Sequence, residues 1–222
     1  MKERVCIYID GGNFYHLVLK KLKVNELNFD FDAFVLFLAN ERIIPEMSKR
    51  FYVGTIREKE GDPKSKIAMS RQTTFFSVLK KGKWEIKTSK LKTRIEEIQV
   101  DKRVLEYKNL EKAGIKTITI ERLREKGIDV KLATDLIVGA VDNKYDTAIV
   151  VSSDSDLVPA IDWVRHRMKK KVEYIGFSIL DKVNPKNNTV PLLSMISKTD
   201  VQRTLVESEL TKFVIQGELL KS

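Results

Sequence analysis

Residues 148–164 read AIVVSSDSDLVPAIDWV, an unbroken apolar run that stops against Asp154 and Asp156. Asp and Ser at such a boundary serve as helix N-caps, because their side-chain oxygens take up free N–H groups of the first turn. One aspartate is explained that way, and the second asks for a partner elsewhere in the chain. Asp10 closes another apolar run, RVCIYI (residues 4–9). In an open parallel sheet, ligands bind beyond the carboxyl ends of the strands, near the point where strand order reverses. If the two runs are neighbouring parallel strands, Asp10, Asp154 and Asp156 share one rim. Asp135 lies within LATDLIVGA (132–140). It either needs a partner amid Leu132, Ala133, Leu136, Ile137 and Ala140, or sits on a polar stripe with Lys131 and Thr134. Asp129 either caps the same helix or completes the rim.

Carboxylates brought within about 4 Å repel by roughly 4 kcal/mol per pair at an effective dielectric near 20. Such a cluster persists by binding a hard cation or by raising some of its pKa values. Oxygen-only ligands favour Mg²⁺ or Mn²⁺, and Mg²⁺ readily shares phosphate oxygens. The chain itself carries a formal charge of +10, which suits a polyanionic partner. An acidic site in a basic protein therefore suggests a metal centre acting on a phosphodiester. No Walker-type G-x-x-x-x-G-K-[ST] loop or D-x-D-x-T sequence accompanies it, which argues against a metal-dependent phosphatase or nucleotidyl hydrolase acting on small molecules.

The elements that must position these acids alternate between strand and helix. RVCIYI is apolar on both faces, the pattern of a central parallel strand. DGGN breaks it and FYHLVLKKL (14–22) follows with helical spacing; DFDAFVLFLANER (30–42) is a second helix, with Phe31, Phe34, Leu36 and Leu38 expected in the core. SKRFYVGTI (48–56) and GKWEIKTS (82–89) read as strands around a helix over 66–80. Residues 87–126 alternate in an extended or hairpin pattern rich in lysine and arginine, expected as an insertion beside the sheet. KGIDVKLATDLIVGAV (126–141) is an apolar helix, DTAIVVSS (146–153) a buried strand, LVPAIDWVRHRM (157–168) a helix and KKVEYIGF (170–177) the expected last strand. The resulting expectation is an α/β domain over residues 1–180 with a mainly parallel sheet, followed by an extension over 181–222. In that extension VQRTLVESELTKFVIQ (201–216) reads as an amphipathic helix, its stripe of Val201, Leu205, Val206, Phe213 and Val214 suited to the core or to a second subunit in a homodimer.

Three segments carry a family resemblance: YIDGGNF (8–14), KGIDVKLATDLIVGA (126–140) and VVSSDSDLVPAI (150–161). In that order they resemble the NYN domain family of PIN-like nucleases, particularly its LabA-like (DUF88) branch, which shows D-G-x-N, K-G-x-D-V-x-L-x-x-D and S-G-D-x-D-F. Ser153 stands where glycine is usual and Leu157 where Phe is common. The resemblance implies a PIN-like three-layer α/β/α fold and a metal-dependent ribonuclease, here expected to be an endonuclease. It implies that Asp10 and Asp154 hold the metal, with Asp156 and Asp135 as further ligands or water-orienting groups. Asn13 would position Asp10 or the phosphate, Asp129 would complete the acidic rim, and Ser152 would support it by hydrogen bonding. The alternative is an RNA-binding regulatory module with the same fold and little cleavage.

The remaining polar residues carry weaker signals. Lys126 and Lys131 flank Asp129, and Arg165 and Arg167 open the basic run RHRMKKK (165–171); all four are candidate RNA contacts and equally serve as solvated surface. His16 and His166 have no metal-ligand spacing. Trp84 and Trp163 read as packing residues. The single cysteine, Cys6, excludes an internal disulfide and a Cys-rich zinc site. No stretch reaches the length of a membrane span, and the charged MKER start is unlike a signal peptide, so the expected setting is cytoplasmic, with no membrane partner.

Overall fold

The computed structural model describes residues 2–58, 61–125, 127–181 and 184–215. The chain opens with β1 (Val5–Asp10), then α1 (Gly11–Phe14), which runs through a π-helical turn, Tyr15–Leu19, into α2 (Lys20–Leu22). There follow α3 (Phe31–Ala39), β2 (Lys49–Thr55), α4 (Pro63–Lys81), β3 (Glu85–Gln99), α5 (Tyr107–Lys112), β4 (Thr117–Glu125) and α6 (Ile128–Val141). The second half comprises β5 (Thr147–Val151), α7 (Val158–Met168), β6 (Lys171–Ser178), α8 (Leu193–Lys198), β7 (Val201–Val206) and α9 (Glu207–Leu210). The strands form one sheet in the order β4-β3-β2-β1-β5-β6-β7. All neighbours are parallel except β3 and β4, giving six parallel strands and one antiparallel edge.

Side chains alternate across the central strands, as the period of two demands. Val5, Ile7 and Ile9 face a core built from Phe14, Phe34, Phe51, Phe75 and Trp84. Cys6 and Tyr8 face the opposite core, with Leu132, Leu136, Ile161 and Val164. Helices α3 and α4 thus cover one face and α6, α7 and α8 the other, the expected three-layer arrangement. Along α3 the buried residues are Phe31, Phe34, Val35, Leu38 and Ala39, a strict i, i+3, i+4, i+7, i+8 stripe. Leu36 falls between its members and is 65% exposed, correcting its expected place in the core.

Two further expectations are corrected. Residues 87–126 are not wholly an insertion: through Lys90, β3 pairs in parallel with β2 (Arg50↔Glu85 to Thr55↔Lys90). Only beyond that point does it leave the sheet as a ribbon with β4, registered from Leu91↔Glu125 to Gln99↔Thr117, with α5 between the two strands. Among the described residues, 201–215 do not form one amphipathic helix, and β6 is not the last strand. Residues 201–206 add β7 in parallel to β6, from Glu173↔Val201 to Ser178↔Val206. The β-branched Val201, Thr204 and Val206 suit a strand, and the segment alternates, with Leu205 buried between exposed neighbours. The chain then returns beneath α3, where Phe213 packs on Phe29, Phe34 and Phe37 and its carbonyl accepts from Asp30 N. Leu205, Leu210 and Phe213 of the tail thereby join the core, with Val214 packed against it, while Val201 and Val206 stay exposed.

Candidate active site

Strands β1 and β5 are adjacent and parallel, in register from Val5↔Thr147 to Ile9↔Val151. From β1 the sheet grows outward through β2 on one side, and through β5 on the other, so the order reverses between them. Asp10 ends β1 and Ser152 follows β5; both are buried, and their parity directs them to the α6–α7 face. Ser152 Oγ donates to Asp10 Oδ2 at 3.1 Å, while Asp10 Oδ1 accepts from Asn13 N at 3.0 Å and so caps α1. Asn13 Oδ1 in turn accepts from Ser153 N at 2.9 Å. Asn13 therefore fixes the loop after β5 as well as the acid after β1. The Ser153 hydroxyl lies 2.7 Å from Tyr174 Oη, which accepts from Leu192 N at 3.0 Å. The serine in the glycine position is thus used as a tie between β5, β6 and the segment before α8.

Glycine at position 11 is required by packing. A Cβ there would lie 2.4 Å from Phe51 Cε1 and 3.0 Å from the Tyr52 carbonyl oxygen. The D-G-G-N turn can follow β1 this closely only without a side chain.

Asp154 Oδ1 accepts from Asp156 N at 2.9 Å, capping the 3₁₀ turn Ser155–Leu157. The local explanation therefore covers Asp154 and leaves Asp156 exposed to solvent. Asp129, in the first turn of α6, faces the same turn. Partial burial, and then the charges of Asp154 and Asp156, push its carboxyl above the ordinary aspartate range. Two acids after β5 thus repel the one on α6. With divalent ions chelated, ionising Asp129 costs more in the folded protein than in the unfolded chain. That burden is absent below the ordinary aspartate range and grows as pH rises through the raised pKa. Asp129→Asn is accordingly expected to melt above the wild type at neutral pH, with the gap closing near pH 3. A difference independent of pH would show that the carboxylate is not under repulsion.

Asp135 has a different setting. Tyr52 Oη donates to its Oδ2 at 2.8 Å, and Arg50 and Lys87 stand 3.6 and 3.8 Å from the same oxygen. Burial, followed by the Asp135 charge, holds the Tyr52 phenol protonated far above its usual range. Tyr52 is the β2 register partner of Asp10, so this anchor lies beside the rim while its acid is occupied by two cations and a phenol. Removing the donor with Tyr52→Phe is expected to cost about 1–2 kcal/mol in urea unfolding. A change too small to resolve would mean that Arg50 and Lys87 satisfy Asp135 alone.

Among the described residues, no three His, Cys, Asp or Glu side chains converge into a ready-made metal cluster. Lys131 Nζ donates to the Thr88 carbonyl, bridging α6 to β3. Lys126 lies outside the described residues. Arg165 and Arg167 lie at the opposite edge, because α7 runs from the acidic rim back towards the start of β6. There Arg165 forms a two-pronged pair with Asp200 at 2.8 and 2.7 Å, and Asp200 also accepts from Val172 N at 2.8 Å. Its guanidinium ties α7 to the strand starts. Tyr52, Arg50, Lys87 and Tyr174 had no sequence signal as site residues, since each meets its partner only across strands or layers.

A family profile for the NYN domain matches residues 4–193, most of the chain. The chain belongs to the NYN domain family. NYN domains are PIN-like nucleases, and these generally use divalent metal ions. This NYN domain also resembles, in fold, a Vibrio parahaemolyticus protein of unknown function known from its crystal structure. The likeness has a TM-score of 0.56 and 21% identity over 93% of this chain and 94% of the other. No curated protein matches. The rim's donor set fits a hard divalent ion: every donor is oxygen, and among the described residues no cation forms an ion pair with Asp129, which Asp154 and Asp156 repel. Among the described residues, no helix is long and apolar enough to cross a membrane.

Proposed function

We propose that this NYN domain is a Mg²⁺- or Mn²⁺-dependent ribonuclease that cleaves RNA internally. The observation that carries this reading is the pairing of the β1 and β5 ends, which sets buried Asp10 beside a turn bearing Asp154 and Asp156, with Asp129 opposite. Asp10, Asp154, Asp156 and Asp129 would hold the ion, with water and phosphate oxygens completing a shell that Mg²⁺ shares readily. Bound there, the ion supplies an activated water and offsets charge on the phosphate. The chain's own residues do the positioning. Ser152 and the Asn13 backbone fix both Asp10 oxygens in direction, and Asn13 holds the β5 turn to the same frame. Asp135, neutralised by Arg50 and Lys87, supports the α6 position from which Asp129 reaches the rim.

A circular RNA incubated with Mg²⁺ or Mn²⁺ tests the reading, because only an internal cut linearises it. Linear product that disappears with chelator is the expected result; a circle left intact with every divalent ion would exclude it. The second reading, an RNA-binding module with little cleavage, draws on Asp135 already having its charge met. It predicts retention of RNA that weakens steeply with salt and no product.

A further inference from the structure

We propose that the cavity between the first helix and α4 is a subsite for one unpaired nucleotide of an RNA strand whose neighbouring phosphate lies at the acidic rim; this deepens the ribonuclease reading and rests on it. The cavity measures about 700 Å³, within the ~300–1,000 Å³ range of small-ligand sites. It begins at Gly11 and Gly12, the two residues directly after Asp10, so it adjoins the rim on the flank away from α6. Its floor is aromatic: the buried rings of Phe51 and Phe75 meet edge to face at 5.3 Å. One wall is held rigid by Gln72, whose side chain donates to Gly54 O and accepts from Ile56 N, both at 2.8 Å.

The lip is cationic. Lys20, Lys23 and Arg71 line it, and among the described residues none of the three makes an ion pair or side-chain hydrogen bond; Glu26 is the one acid in the lining. Tyr15 stands at the same lip, 38% exposed, on the π-helical turn that displaces it from ordinary α-helical register. An aromatic floor with a tyrosine at the lip takes a base, and the surrounding cations take the flanking phosphates. A base can enter such a concavity only when it is unpaired, as in single strands and loops.

Binding is measured on the Asp10→Asn, Asp154→Asn chain, so that RNA is not consumed, using a fluorescein-labelled single-stranded oligouridylate and an RNA duplex of equal length. Ala68→Trp fills the cavity from α4 without changing charge. It is expected to weaken single-strand binding about ten-fold and to leave duplex binding unchanged. The surface triple variant Lys20→Ala, Lys23→Ala, Arg71→Ala needs no core adjustment. It should lower the slope of log affinity against log salt by about two. Single-strand affinity unchanged in both variants overturns the subsite, as does equal loss for single strand and duplex. Cleavage of circular RNA by the otherwise unaltered chain is scored separately. If that chain cuts and both variants bind normally, the subsite alone fails. If it does not cut while binding still depends on the cavity, the nuclease reading fails and the subsite stands.

Discussion

Asp10→Asn combined with Asp154→Asn is expected to lower RNA cleavage by roughly 10³-fold or more, since an ion at the rim contributes several kcal/mol of charge stabilisation. The exchange is chosen to spare the fold. An asparagine at position 10 can still accept from Asn13 N and can donate to Ser152 Oγ, which preserves both of these contacts. An asparagine at 154 keeps the oxygen that caps the 3₁₀ turn. It also removes one of the charges acting on Asp129. The double variant should therefore melt at or slightly above the wild-type temperature while losing turnover. Initial rates on a labelled RNA with saturating Mn²⁺ provide the measurement. Cleavage within a few-fold of wild type would remove these two acids from the mechanism.

The largest expected effect on stability lies at the other end of the sheet. Glu173 on β6 is 2% exposed and sits between Arg42, at 2.8 Å, and Arg203 on β7, with which it also forms an ion pair. Arg42 donates to the carbonyls of Leu38 and Ala39 at the end of α3, and Arg203 donates to Leu38 as well. One buried carboxylate thus joins β6, β7 and α3. Removing one partner of a buried ion pair typically costs about 3–5 kcal/mol, because the other charge is left uncompensated. Both arginines keep partial access to water, which puts Glu173→Ala near the lower end, about 3 kcal/mol. Urea unfolding measures it, and a loss below about 1 kcal/mol would show that the arginines find solvent freely. Because the pair is remote from the rim, the folded fraction should keep its ion affinity.

Much of this arrangement was legible in the residues. VCIYI and AIVV are apolar without interruption, as strands covered on both faces must be, and the acids follow their ends. The α6 and α7 stripes have the helical period that buries Leu132, Leu136, Ile161 and Val164. The tail is ambiguous in the residues alone, because Val201, Leu205 and Val206 fit a helical stripe nearly as well as a strand. What decides between them is the β6 edge, which offers backbone donors and acceptors to be paired.

The sequence by itself determined the strand ends and the acids placed on them, because each depends on a few neighbouring residues; the need for glycine at position 11 comes instead from Phe51 and Tyr52 on β2. Only the tertiary structure decided which acids act together. Asp129 and Asp135 stand six residues apart on one helix, about 9 Å along its axis, yet one faces Asp154 and Asp156 while the other is held by Tyr52, Arg50 and Lys87. The same holds for Arg165, whose partner Asp200 lies on the edge opposite the rim. Strand order and helix direction bring these partners together across long stretches of chain, and local periodicity carries no record of either.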